Sequence, residues 1–176
     1  ISIDAGNAAS DASGDATSPN AEFDPNATSD ALTVDGISYT FPLGDELTVF
    51  VGTDSDGSAL FTTACVYGTP SDTLDDCGNV NAGITGGGVA AGASYDIGNG
   101  FSAAFGIQAT ESGILTDETM DDAYAFNAAY IADNYGVSIT YANVEDGTAT
   151  GNNDDTYTAL NGYIAFEGYP TLSAGV

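Results

Sequence analysis

The sequence predicts an all-β protein: an antiparallel up-and-down transmembrane β-barrel, of which these residues supply about eight strands in four hairpins. Three observations carry that expectation. First, residues 122–143 alternate with period two. Tyr124, Phe126, Ala128 and Tyr130, then Tyr135, Val137, Ile139 and Tyr141, fall on one face. Asn127, Ser138 and Thr140 fall on the other, among Ala and Gly. Two such runs joined at Asp133-Asn134 make a β-hairpin with a large apolar face and a small polar one. Second, links within hairpins are short and links between hairpins are long. That order puts the short turns at one end and the long loops at the other, as in membrane barrels, whereas Greek-key sandwiches cross over. Third, no apolar run approaches the roughly 18–20 residues of a spanning helix, so any crossing is made by strands. The hairpin alone suits a soluble sandwich equally well; the order of the links separates the two.

The elements follow in chain order. Residues 1–30 are Ala, Ser, Asp, Asn, Gly and Pro, with Phe23 the one large apolar side chain after the first three positions. They read as a loop or disordered lead-in, and residues 31–176 as the barrel segment. Ile37, Tyr39 and Phe41 alternate with Ser38 and Thr40; Pro42-Leu43-Gly44-Asp45 turns the chain, and Leu47, Val49 and Val51 lead back. Leu32 and Val34 are out of phase with Ile37, which suggests a bulge at Asp35-Gly36. A long Gly/Asp/Thr-rich connection, 54–87, follows, of a length usual on the outer side of a barrel. Residues 89–97 and 101–109 alternate around Gly98-Asn99-Gly100, a strong hairpin signal. An acidic loop, 111–121, precedes the hairpin of 122–143, and a second, 144–155, follows it. A strand over 157–165, whose facing is ambiguous, turns at 167–170 into a last strand from Thr171.

Charge limits function. The chain has 176 residues, 26 of them acidic, and no Lys, Arg, His or Trp. Phosphate binding needs Lys and Arg, so nucleic acid is not an expected partner; cations are. A hydrophobic content of 43% is too high for a disordered acidic tail. The missing basic residues and the start at Ile1-Ser2-Ile3 read as an excerpt of a longer chain. Cys65 and Cys77 share one loop-like segment. With no His, they supply too few ligands for zinc, and a local disulfide in an oxidising compartment is the better reading; two unpaired thiols are the alternative.

No catalytic assembly is expected. Without His, neither Ser–His–Asp nor Cys–His chemistry is possible. Asp75-Asp76, Asp121-Asp122 and Asp154-Asp155 are neighbours in loops and read as solvated charge rather than a glycosidase pair. Asp54-Ser55-Asp56-Gly57 starts like a calcium loop but lacks its later ligands, and Asp146 with Asp154 and Asp155 is a weak Ca²⁺ candidate. Most acids fall in residues 1–30 and the three long loops. The inferred pore-facing residues Ser102, Gln108, Asn127, Ser138 and Thr140 are polar and uncharged. Asp117, Glu118, Asp121, Asp146, Asp154 and Asp155 then make an acidic mouth that enriches cations.

The stretch DGISYTFPLGDELTVFVGTDSDGSALFTTACVYGTPSDTLDDCGNVNAG resembles the middle of cyanobacterial outer-membrane porins, especially the marine Synechococcus and Prochlorococcus type. The match is most specific at the FPLGD-type turn and following strand, Phe41 to Val51; ADNYGVSITYANVEDG and YPTLSAGV resemble later strands of that family. The resemblance covers most of residues 31–176. It implies a trimeric barrel of about sixteen strands, carrying inorganic ions and small hydrophilic solutes through the outer membrane, in contact with lipid and lipopolysaccharide. Related porins are assigned carbohydrate selectivity or iron uptake. The family's surface-layer-homology domain and coiled coil do not occur in this sequence, nor does a basic pore lining, which leaves selectivity open. The competing expectation, from a different class, is a secreted β-rich structural protein or fibre subunit that assembles through strand edges.

Overall fold

The computed structural model describes residues 1–7, 27–65, 82, 84, 88–109, 122–145 and 154–176. Nine strands follow one another: β1 (Ser2–Asn7), β2 (Ala27–Leu43), β3 (Leu47–Thr53), β4 (Val89–Gly98), β5 (Phe101–Ala109), β6 (Asp122–Ile131), β7 (Tyr135–Val144), β8 (Asp155–Ile164) and β9 (Leu172–Gly175). Each pairs antiparallel with the next, in sheet order β1 to β9. The fold is an all-β, up-and-down meander with no helix among the described residues. Strands β2 to β9 are the eight expected from sequence. No contact joins β1 to β9 among the described residues, so both are open edges.

The lead-in expectation is corrected at its two ends, while residues 8–26 lie outside the described residues. Ser2–Asn7 is a strand, and β2 begins at Ala27 rather than in the thirties. The pairing jumps from Ser2↔Gly36 to Ile3↔Val34, which leaves Asp35 as the extra residue of a bulge. Sequence patterning alone does not reveal β1, because its six residues, SIDAGN, carry a single large side chain, Ile3.

Short turns close one end of the sheet. At the tightest, Gly98, Asn99 and Gly100 all have positive φ, at 90°, 55° and 85°. Asn tolerates that region, and Gly enters it without steric cost. Asp96 accepts a hydrogen bond from the Gly98 N–H at 2.8 Å, which fixes the approach to the turn. The connections at the other end are long.

The register sorts every side chain. Phe41, Val49, Ala93, Phe105, Phe126, Tyr141 and Thr158 form one continuous row across seven strands. Leu43, Leu47, Tyr95, Ala103, Ala128, Ile139 and Leu160 form the next row on the same face. Phe105 and Phe126 pack as tilted rings at 5.0 Å, Phe101 and Tyr130 at 4.5 Å, and Tyr130 and Tyr135 at 5.6 Å. Aromatic pairs at these separations tie neighbouring strands, each contributing about 0.5–1.5 kcal/mol beyond burial. Yet this face is exposed: Phe126, Val137, Ile139, Leu160 and Leu172 are about half accessible or more. The opposite face carries Asn127, Ser138, Thr140 and Asn161, each no more than 3% exposed. The polarity of the sheet is thus reversed relative to a water-soluble sandwich. The facing of β8 is settled by its pairing with β7, since Asn161 lies opposite Ser138 and Leu160 opposite Ile139.

Candidate functional site

The covered face owes its burial to a segment that sequence analysis places outside the sheet. After β3, Asp54 takes φ +46° and the chain turns back. Residues 54–65 then cross the polar face of β5, β6 and β7. The Gly57 N–H donates to Gln108 Oε1 at 2.9 Å, the Thr62 N–H to Asn127 Oδ1 at 3.0 Å, and the Ala64 N–H to Ser138 Oγ at 2.9 Å. Asn127 in turn donates from Nδ2 to Thr140 Oγ1 at 2.9 Å, which holds the amide in the orientation that receives Thr62. Each strand therefore offers one side-chain oxygen to a successive part of the segment. A turn at 58–61, closed by the Phe61 N–H donating to Ser58 O at 2.8 Å, bridges the first two anchors.

Small residues make this close approach possible. A Cβ on Gly106 would run into the Gly57 carbonyl, and one on Gly57 into Ile84 and the Ile107 carbonyl. Gly92 leaves space for the ring of Phe50, which is 1% exposed. Ala123, Ala125, Ala142 and Ala159 form the floor on which Ala82, Ile84 and Phe61 pack. The signal for an inserted segment was therefore present in the sequence. Inward positions this small leave a void unless other chain fills it.

The sequence-inferred pore-facing residues separate into two groups. Asn127, Ser138 and Thr140 lie on the inner face but are buried; Asn127 and Ser138 anchor the segment and Thr140 holds Asn127 in place. Gln108 is half-buried and anchors Gly57. Ser102 is half-buried beside a part of the inner face that the segment leaves open. That part carries Thr40, Thr48, Ser94 and Asp96 as well, with Thr48 opposite Ser94 and Asp96 opposite Ser102. Within residues 37–43, 47–53, 89–97, 101–109, 123–131, 135–144 and 156–164, Asp96 is the one acidic residue.

Of the acidic-mouth residues, Asp154 and Asp155 are exposed at the start of β8, at the long-connection end. Asp117, Glu118, Asp121 and Asp146 lie outside the described residues. Cys65 is disulfide-bonded; the only other cysteine of the chain, Cys77, lies outside the described residues. No group of three His, Cys, Asp or Glu side chains converges among the described residues, so the calcium candidates draw no geometric support there. Asn161 was not singled out from sequence, because the facing of its strand was ambiguous.

Comparison with family models, with curated proteins and with solved structures finds no match to this chain.

Proposed function

We propose that this chain forms part of the wall of an outer-membrane diffusion channel for inorganic ions and small hydrophilic solutes. The observation that carries the proposal is the reversed polarity of the sheet. Over β3 to β8 the outward rows contain a single charged residue, Asp122, opposite Ala109 at the long-connection end. At about 3.3 Å per residue and 4.8 Å between strands, β3 to β8 alone cover on the order of 900 Å². A soluble monomer exposes a contiguous apolar patch of about 300–600 Å² at most, so this face requires a cover, and a hydrocarbon layer suits it. The lengths agree: β4 to β8 have 10, 9, 10, 10 and 10 residues, against about 9–11 for a tilted membrane strand. The resemblance of the stretch around Phe41 to Val51 to cyanobacterial outer-membrane porins, read from the sequence alone, points the same way and would imply a trimer.

In such a wall the polar face lines the lumen, and residues 54–65 narrow it. Solutes pass along the uncovered side, where Thr40, Thr48, Ser94, Ser102 and Asp96 face the water. Hydroxyls with one carboxylate, and no basic side chain in the chain, favour hydrated cations over anions. The open edges β1 and β9 sustain the competing reading, edge-to-edge assembly into a fibre, since an unpaired edge is a template for further strands. A fibre subunit would sediment as a polydisperse polymer, whereas the channel runs as a discrete oligomer from the outer-membrane fraction.

Planar-bilayer recording tests the channel directly. Exposed carboxylates act over about 8–10 Å at physiological salt. Neutralising Asp117, Glu118, Asp121, Asp146, Asp154 and Asp155 to Asn or Gln is expected to lower cation conductance in dilute salt and leave it nearly unchanged in concentrated salt. An equal loss at all salt concentrations would place these acids in the constriction instead of at the mouth. No conductance in the unaltered protein would remove the channel.

A further inference from the structure

The inner face divides by what lies on it. Residues 54–65 rest on β5, β6 and β7 through Gln108, Asn127 and Ser138. The strip beside them, over β2 to β5, carries Thr40, Thr48, Ser94, Asp96 and Ser102, all exposed or half-buried. Thr48 stands opposite Ser94, and Asp96 opposite Ser102. A hydroxyl both donates and accepts, so it can solvate an ion of either sign. An ionised carboxylate only accepts. With no Lys, Arg or His in the chain, no basic side chain of this sequence offsets the charge of Asp96.

Asp96 is also fixed in place. Its backbone N–H donates to Glu46 O at 2.8 Å, and its Oδ1 accepts the Gly98 N–H at 2.8 Å. It therefore holds one position near the short-turn end, away from the long connections and their acids. Asp45, Glu46, Asp133 and Glu167 are exposed in the short turns themselves, where water and salt screen them from all sides. Asp96 instead stands within a strand, on the polar face, beside Ser94 and Ser102.

We propose that Asp96 is the specificity-determining residue of the uncovered path: it sets the preference for cations at the short-turn end, after the acidic mouth has acted on entry. The inference rests on the channel function proposed above. An ion moving along the strip passes nearer to Asp96 than the screening length, about 8–10 Å at physiological salt. The carboxylate then attracts a cation and repels an anion at the same point, so both effects enter the ratio of their permeabilities.

Reversal potentials across planar bilayers, under a salt gradient near physiological strength, read that ratio. Asp96→Asn is the cleanest variant, because its side-chain oxygen still accepts the Gly98 N–H while the charge is gone; Asp96→Ser serves if the asparagine variant does not fold. The cation-to-anion permeability ratio is expected to fall about two- to fivefold, and Asp96→Lys should lower it further. Glu46→Gln, in the adjoining turn, should change it less. An unchanged ratio in a conducting Asp96→Asn channel would overturn the proposal and leave the channel standing. So would an equal fall in Glu46→Gln, or a larger fall on neutralising the six mouth acids than on Asp96→Asn. No conductance in the unaltered protein would remove both.

Discussion

Gly106→Ala should destabilise the protein by about 1–3 kcal/mol, although alanine is ordinarily the better residue in a strand. The added methyl would meet the Gly57 carbonyl, which lies directly over Gly106. Backbone cannot rotate aside as a side chain can, so residues 54–65 must move off the sheet. That movement stretches three hydrogen bonds and uncovers Asn127 and Ser138. The paired control is Gly162→Ala on the outer face. A Cβ there meets its nearest atoms at 3.4 and 3.7 Å, which is ordinary contact. Relief of glycine's backbone freedom should make that variant neutral or more stable by up to about 1 kcal/mol. Equilibrium unfolding of both variants checks the contrast. Equal stability of the two would mean that residues 54–65 do not rest on Gly106.

A second large effect is expected on the outward rows. Ile139→Arg places a charge midway along β7, on the face proposed to meet lipid, and should cost about 2–4 kcal/mol. Ile97→Arg, beside the short turn, should cost about 0–1 kcal/mol, because the penalty falls towards the membrane interface. Both residues are about half exposed or more, so in water each substitution should be nearly silent, within about 0.5 kcal/mol. Unfolding free energies measured in lipid vesicles separate these outcomes. A depth gradient supports a lipid-facing wall, and two silent substitutions contradict it.

The strands were legible where period-two alternation was unbroken and a turn signal stood between runs. The pair β6 and β7 is the plainest case, since Tyr124 to Tyr141 keeps one phase on each side of Asp133-Asn134. Even the bulge at Asp35 was visible, as a phase slip between Val34 and Ile37. Strand β1 was not, because SIDAGN carries too little apolar contrast to mark a face, and its pairing is long-range. The anchor roles of Gln108, Asn127 and Ser138 were also hidden. Sequence alternation gave their face correctly but not what covers it, since the covering segment, DSDGSALFTTAC, has the composition of an ordinary loop. What points to it is the other surface: Gly92, Gly106, Ala125 and Ala142 are too small to fill the space they face. Asn161 was masked by Tyr157 and Tyr163, which blur the phase of β8 until its register with β7 is known.

The central claim is that the outward face meets hydrocarbon, and it can be tested at single positions. The sequence contains no tryptophan, so Ile139→Trp introduces one fluorophore on a silent background. Folded into vesicles, that tryptophan should emit at short wavelength and be quenched by lipids brominated along their acyl chains, while aqueous iodide has little effect. Strong quenching by iodide, with no response to the brominated chains, would place Ile139 in water or under protein and contradict the membrane wall.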